Sequence, residues 1–196
     1  MSDNTTEGSY GDPAQSRASW AVKDEAILDE LIELLSLSDK EKALLASMQE
    51  EARAGSGAMV KAFYDRLFAH ENTKEYFAEA SMERLQSMIA DWFVQLFSGT
   101  YDRDYASHRL LIGKIHVKIG LPVRYPLAML DIIGEHGAKI AEANAENPDA
   151  AKEAFRKVLA LDVAIFNQAY EDNQLKHLSE LVGGERLARL LLSGAG

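Results

Sequence analysis

From residue 24 to residue 182 the chain repeats one spacing: apolar side chains recur three and four positions apart, with no sustained alternation of the kind a strand needs. Ile27, Leu28, Leu31, Ile32 and Leu35 show it in simple form. A helix turns about 100° per residue, so these side chains share one stripe, and a chain built of such stripes buries them by packing helix on helix. The pattern predicts an all-α fold without sheets.

Capping residues, glycines and prolines divide this run. A first helix is predicted over 24–36. Ser38 with Glu41 three residues on is a capping-box start for a second, expected to end near the glycines of AGSGA, and a third is expected over 58–69. Ser81 is placed to cap a fourth helix that stops at Gly99, and YDRDYASHRLLIGKIHVKIG reads as the fifth. Pro122 suits the opening turn of a long sixth helix that continues past Pro126, and Pro148 the first turn of a last long one reaching Tyr170 or Leu181. Gly183 and Gly184 interrupt it before a short terminal helix, ERLARLLL. Residues 1–20, rich in Ser, Thr, Gly, Asp and Asn, read as a loose tail with Trp20 anchoring its end. This gives one domain over 21–182, between a flexible tail at 1–20 and a C-terminal tail at 183–196.

Composition removes several functions. A formal charge of −10 without a basic cluster argues against nucleic acid, whose phosphates are bound by releasing counterions to Lys and Arg. Without cysteine there is no disulfide, thiolate zinc site or cysteine-held iron–sulfur cluster, and this usage suits the cytoplasm. No apolar run approaches the ~20 residues that cross a bilayer, so membrane insertion is not expected. His-Glu-x-x-His, Glu-x-x-His and nucleophile-elbow patterns are all missing, which lowers the expectation of an enzyme.

One residue resists an ordinary explanation. His116 lies within GKIHVKIGLP, and Ile112 and Ile119 fall on its stripe, so the imidazole points where the apolar side chains point. Two readings are open. The first is a core histidine bonded to a backbone carbonyl. The second is an axial ligand to haem iron, which needs one nitrogen and flat apolar walls.

The run from Phe97 to Pro122 resembles the bacterial sensor globins, the haem domains of globin-coupled sensors. Their pattern of Phe-x-Gly and then Tyr-x-x-x-Arg-x-x-Ile-Gly-x-x-His-x-x-Ile-Gly-Leu-Pro is met here by Phe97, Gly99, Tyr105, Arg109, Ile112, Gly113, His116, Ile119, Gly120, Leu121 and Pro122. The likeness extends more weakly over about residues 25–180. It implies a globin fold with an extra N-terminal helix and haem b on His116, with the other face of the iron open to O2, CO or NO. Tyr64, in FYDRLF, matches a tyrosine that donates a hydrogen bond to bound oxygen. Leu85 and Met88 match distal wall positions, and Phe77 and Phe93 are placed to touch the porphyrin. Ile112, Ile115, Ile119, Tyr125 and Met129 complete the expected pocket.

The chain departs from the family in two ways. Where the family has Trp-Tyr after Gly-Leu-Pro, this chain has Tyr125-Pro126, which puts in doubt a tyrosine contact near the proximal histidine. Only about 20 residues follow the last globin helix, too few for an output module, so a single-domain sensor globin or an excised sensing domain is expected. The last two long helices carry more apolar residues than one buried stripe uses, which together with the family's habit suggests a homodimer through them, signalling by a small shift of the iron and its helix. A haem-free globin-fold signalling module and a haem enzyme consuming NO or peroxide are the alternatives. His108 is expected at a pocket edge or in solvent, and His70, His136 and His177 at the surface.

Overall fold

Ser38 starts its helix as the capping box requires: its hydroxyl accepts from the Glu41 backbone N–H, while the Glu41 carboxylate accepts from the Ser38 N–H at 2.8 Å. The computed structural model describes residues 17–77 and 81–193. Its described residues form nine α-helices and no strand. They are α1 (Ile27–Leu35), α2 (Asp39–Ala46), α3 (Gln49–Phe68), α4 (Glu71–Lys74), α5 (Met82–Gln95), α6 (Arg103–Lys118), α7 (Arg124–Asn144), α8 (Pro148–Val182) and α9 (Glu185–Leu192).

Several boundaries differ from the sequence reading. The glycines of AGSGA do not end a helix: α2 stops at Ala46, and α3 runs unbroken through Gly55 and Gly57 to Phe68. Each interior glycine costs about 1 kcal/mol of helix propensity, a penalty that packing of α3 against α5 and α7 overrides. Pro122 stands before α7, which opens at Arg124, and not in its first turn, and α5 ends at Gln95, short of Gly99. Asp102 caps α6 by accepting from the Tyr105 N–H at 2.9 Å, and Asn147 caps α8 by accepting from the Ala150 N–H at 3.2 Å. At Gly99, φ is +69°, and an added Cβ would stand 2.7 Å from the Lys42 carbonyl oxygen, so both backbone conformation and space demand glycine.

By its internal contacts the chain divides into two units, Asp24–Tyr170 and one built from both ends, Met1–Lys23 with Glu171–Gly196. In the larger unit Phe93, Phe97 and Phe155 form a buried aromatic run, with Phe97 stacked on Phe155 at 5.0 Å. Met59, Leu110, Ile133 and Leu161 fill the space around it, each side chain contributing roughly 1.5–3 kcal/mol on burial. In the smaller unit, the Arg189 guanidinium lies 4.8 Å over the Trp20 ring, and Lys23 pairs with Glu185 at 2.6 Å. Residues 1–16 of the expected loose tail and 194–196 of the expected C-terminal tail lie outside the described residues; Trp20 sits in a 3-10 turn, Ala18–Ala21.

Candidate functional site

The imidazole of His116 is held from one side. Its Nδ1–H donates to the carbonyl of Ile112, one turn earlier, at 2.7 Å; a carbonyl only accepts, so this bond fixes the proton on Nδ1 and the lone pair on Nε2. Nε2 makes no hydrogen bond among the described residues. Burial pushes the pKa of the ring below the ordinary histidine value, with the bond to Ile112 opposing, so the ring is neutral at pH 7. Its position is set by Phe166 of α8, whose ring meets it edge to face at 5.4 Å. Both features of the core-histidine reading are therefore present, together with one that it does not need, a free nitrogen.

The same helix also carries apolar side chains open to solvent. On α6, Leu111 is 52% exposed and Ile115 44%, and Ile119, the residue that caps its end, 52%; Ile112 and His116 are half-buried. Large apolar side chains left in water on one helix face mark a surface that binds something. On α5, Met88 is 47% exposed, while Leu85 is half-buried. A metal that takes one neutral nitrogen fits this donor.

Tyr64 is buried on α3 in an aromatic cluster, stacked on Phe68 at 5.8 Å and edge to face with Phe77 at 5.9 Å. Its hydroxyl makes no hydrogen bond among the described residues, and burial pushes its pKa up to about 12. A cleft of about 480 Å³ between α3 and α5 is lined by Val60, Tyr64, Phe68, Gln86 and Ala90. His116 does not line this cleft.

The remaining expected residues fall in different places. Phe93 is fully buried against Phe97, and Met129 is buried on α7. Tyr125 neighbours His70 and Tyr76, each 6.3 Å away, and the Arg124 guanidinium lies 4.7 Å over its ring. The hydrogen bond of His116 goes to Ile112 and not to Tyr125. His108 is exposed with Nδ1 3.3 Å from Arg109, and His70 and His177 are exposed as expected, whereas His136 is half-buried.

A buried polar cluster was not legible beforehand. Asp162 of α8, 3% exposed, accepts at Oδ1 from Arg109 Nε and from the Tyr105 hydroxyl at 2.6 Å, and at Oδ2 from Trp92 Nε1 at 3.2 Å. Arg109, 1% exposed, also donates to Gln95 Oε1 at 2.7 Å. Burial works against the Arg109 charge, but Asp162 and Tyr105 more than offset it and raise its pKa above the ordinary value. The available signal was a single aspartate inside the apolar run VLALDVAIF.

The Protoglobin family model matches residues 24–176. The Heme-based aerotactic transducer HemAT of Halobacterium salinarum is 29% identical over 187 residues, which cover 87% of this chain and 38% of that protein. The chain thus spans under two fifths of that relative's length. Among solved structures, the globin domain of the Geobacter sulfurreducens globin-coupled sensor superposes with a TM-score of 0.68 at 27% identity, over 72% of this chain and 96% of that one.

Proposed function

The chain belongs to the protoglobin family, and from that premise we propose that it is a haem-based gas sensor that holds haem b through His116. The observation that carries the reading is the state of that ring: neutral, with Nδ1 committed to Ile112 and Nε2 without a hydrogen bond among the described residues, on a helix that leaves apolar side chains open. Haem held there would supply an iron able to take O2, CO or NO. The chain's own residues do the rest. The carbonyl of Ile112 orients the imidazole and raises its basicity as a ligand. Leu111, Ile112, Ile115 and Ile119 give the apolar contact, with Leu85 and Met88 on the gas side.

Tyr64 is assigned the polar contact to the gas. Its hydroxyl has no competing partner among the described residues, and with a pKa of about 12 it stays protonated at neutral pH. Such a phenol donates a hydrogen bond but does not shuttle protons, because an acid/base catalyst needs a pKa near the working pH. This favours binding over the turnover of NO or peroxide. The relative from Halobacterium is named an aerotactic transducer, which supports a signalling role. A cytoplasmic setting suits the cysteine-free composition, and no helix among the described residues is long and apolar enough to cross a membrane.

A second copy of the chain is the proposed signalling partner. Helices α7 and α8 pack together where Phe155 meets Gly137, and both keep half-exposed apolar side chains, including Leu130 on α7 and Leu159 and Val163 on α8. A symmetric four-helix contact would cover them.

The test is the absorption spectrum of wild type and His116→Ala, expressed with haem supplied, in the ferrous form with and without oxygen. A haem band that moves reversibly with oxygen in wild type, and is lost or altered in the variant, supports the proposal. Well-folded wild type that takes up no haem would overturn it, leaving His116 a core histidine in a haem-free module.

A further inference from the structure

Arg109 and His116 lie seven residues apart on α6, two turns and so nearly the same face, and both contact α8. The contacts climb the two helices together. Arg109 meets Asp162, Gly113 meets Phe166 and Ala169, and His116 meets Phe166. Beyond the end of α6, the Leu121 carbonyl accepts from the Tyr170 hydroxyl at 3.0 Å. At Gly113 the backbones nearly touch: an added Cβ would stand 2.7 Å from the Phe166 carbonyl oxygen and 2.6 Å from the Ala169 Cβ. Sliding or rotating α6 on α8 would therefore carry the imidazole with it.

The Arg109–Asp162 pair is poorly explained as a source of stability. Desolvating two charges offsets most of their attraction, and apolar side chains of similar volume usually hold such a site as well or better. Here the cost is higher, because Arg109 Nη2 is buried without a hydrogen-bond partner among the described residues. What an ion pair provides and an apolar contact does not is one register. Asp162 also takes a donor from α5 through Trp92, so a single carboxylate ties the helix of the expected gas-side wall to the helix of the expected iron ligand.

We infer that Arg109 and Asp162 are a positioning pair, fixing α6 against α8 so that His116 Nε2 stands at a set height and tilt for the haem iron. The inference rests on the proposed role of His116. Neither residue touches the haem; both act through the helix.

The experiment uses the full chain and the double variant Arg109→Met/Asp162→Leu, which removes the pair without stranding a charge. The expected result is a folded protein that still takes up haem but has a shifted iron–histidine stretching band in the ligand-free ferrous resonance Raman spectrum. Oxygen release should change about fivefold or more, the factor that ~1 kcal/mol makes. In the haem-free protein the 15N signals of the His116 ring should move as well. Asp162→Asn, which keeps the side-chain shape but removes the charge and leaves one accepting oxygen where the carboxylate has two, carries the same measurements if the double variant does not fold. An unchanged band with unchanged ring signals in a folded variant would overturn the inference alone. A wild-type protein without an iron–histidine band would overturn the reading of His116, and the inference with it.

Discussion

Phe155 occupies the space that any residue larger than glycine would need at position 137: an added Cβ would stand 2.0 Å from its Cζ. The α7 backbone thus lies directly on an aromatic ring of α8, and the pair sets how closely these two long helices approach. Gly137→Ala should destabilise the protein by about 1–3 kcal/mol or more through overpacking, read as a lower urea midpoint. Phe155→Leu in the same background should recover part of the loss, because a smaller side chain makes room for the new methyl. Equal midpoints for wild type and Gly137→Ala would contradict the close approach.

Tyr64→Phe removes one hydroxyl and keeps the ring packed on Phe68 and Phe77. Haem content should not change. Oxygen release, followed by stopped-flow, should quicken about tenfold, the factor for a hydrogen bond of ~1.4 kcal/mol, because dioxygen held there carries partial negative charge. Carbon monoxide, less polarised, should change much less. Identical oxygen release in the variant would remove Tyr64 from the site.

Glu41 links the α2 cap to α8, accepting from both the Ser38 N–H and the Lys157 ammonium, the latter at 2.7 Å. Burial raises its pKa, but the bonds from Lys157 and Ser38 more than offset that and hold it below the ordinary value of 4.5. Below that value the unfolded chain binds more protons than the folded one, so stability from Glu41 is present above about pH 4.5 and is lost as pH falls. Glu41→Gln should flatten this part of the acid limb, measured as urea midpoint against pH. Ser38→Ala should cost ~1 kcal/mol at neutral pH as well.

Asp162→Leu alone leaves Arg109 charged and buried without its carboxylate. The expected loss is about 3–5 kcal/mol in denaturant unfolding. Adding Arg109→Met should restore most of it. If the single and double variants lose the same amount, the charge of Arg109 is not what makes the single variant unstable.

How much could be read in advance depended on the range of the interaction. Helix starts at Ser38 and Ser81 were encoded within three residues, because the orphan N–H groups of a first turn are satisfied by a side chain that close. The apolar face around His116 was legible for the same reason, since Ile112 and Ile119 lie within four residues of it. Even the carbonyl that orients the ring is one turn away. Other features joined residues far apart in the chain. Gly55 and Gly57 look like breakers locally, yet α5 and α7 hold α3 helical through them. Arg109 and Asp162 stand 53 residues apart, and neither signals its partner until two helices bring them together. The sequence by itself determined an all-helical chain, its caps and a histidine turned toward apolar neighbours, because hydrogen bonding and periodicity within a helix are local. Only the tertiary structure decided which helices touch and which charge is paired in the core, because burial is a property of the packed whole.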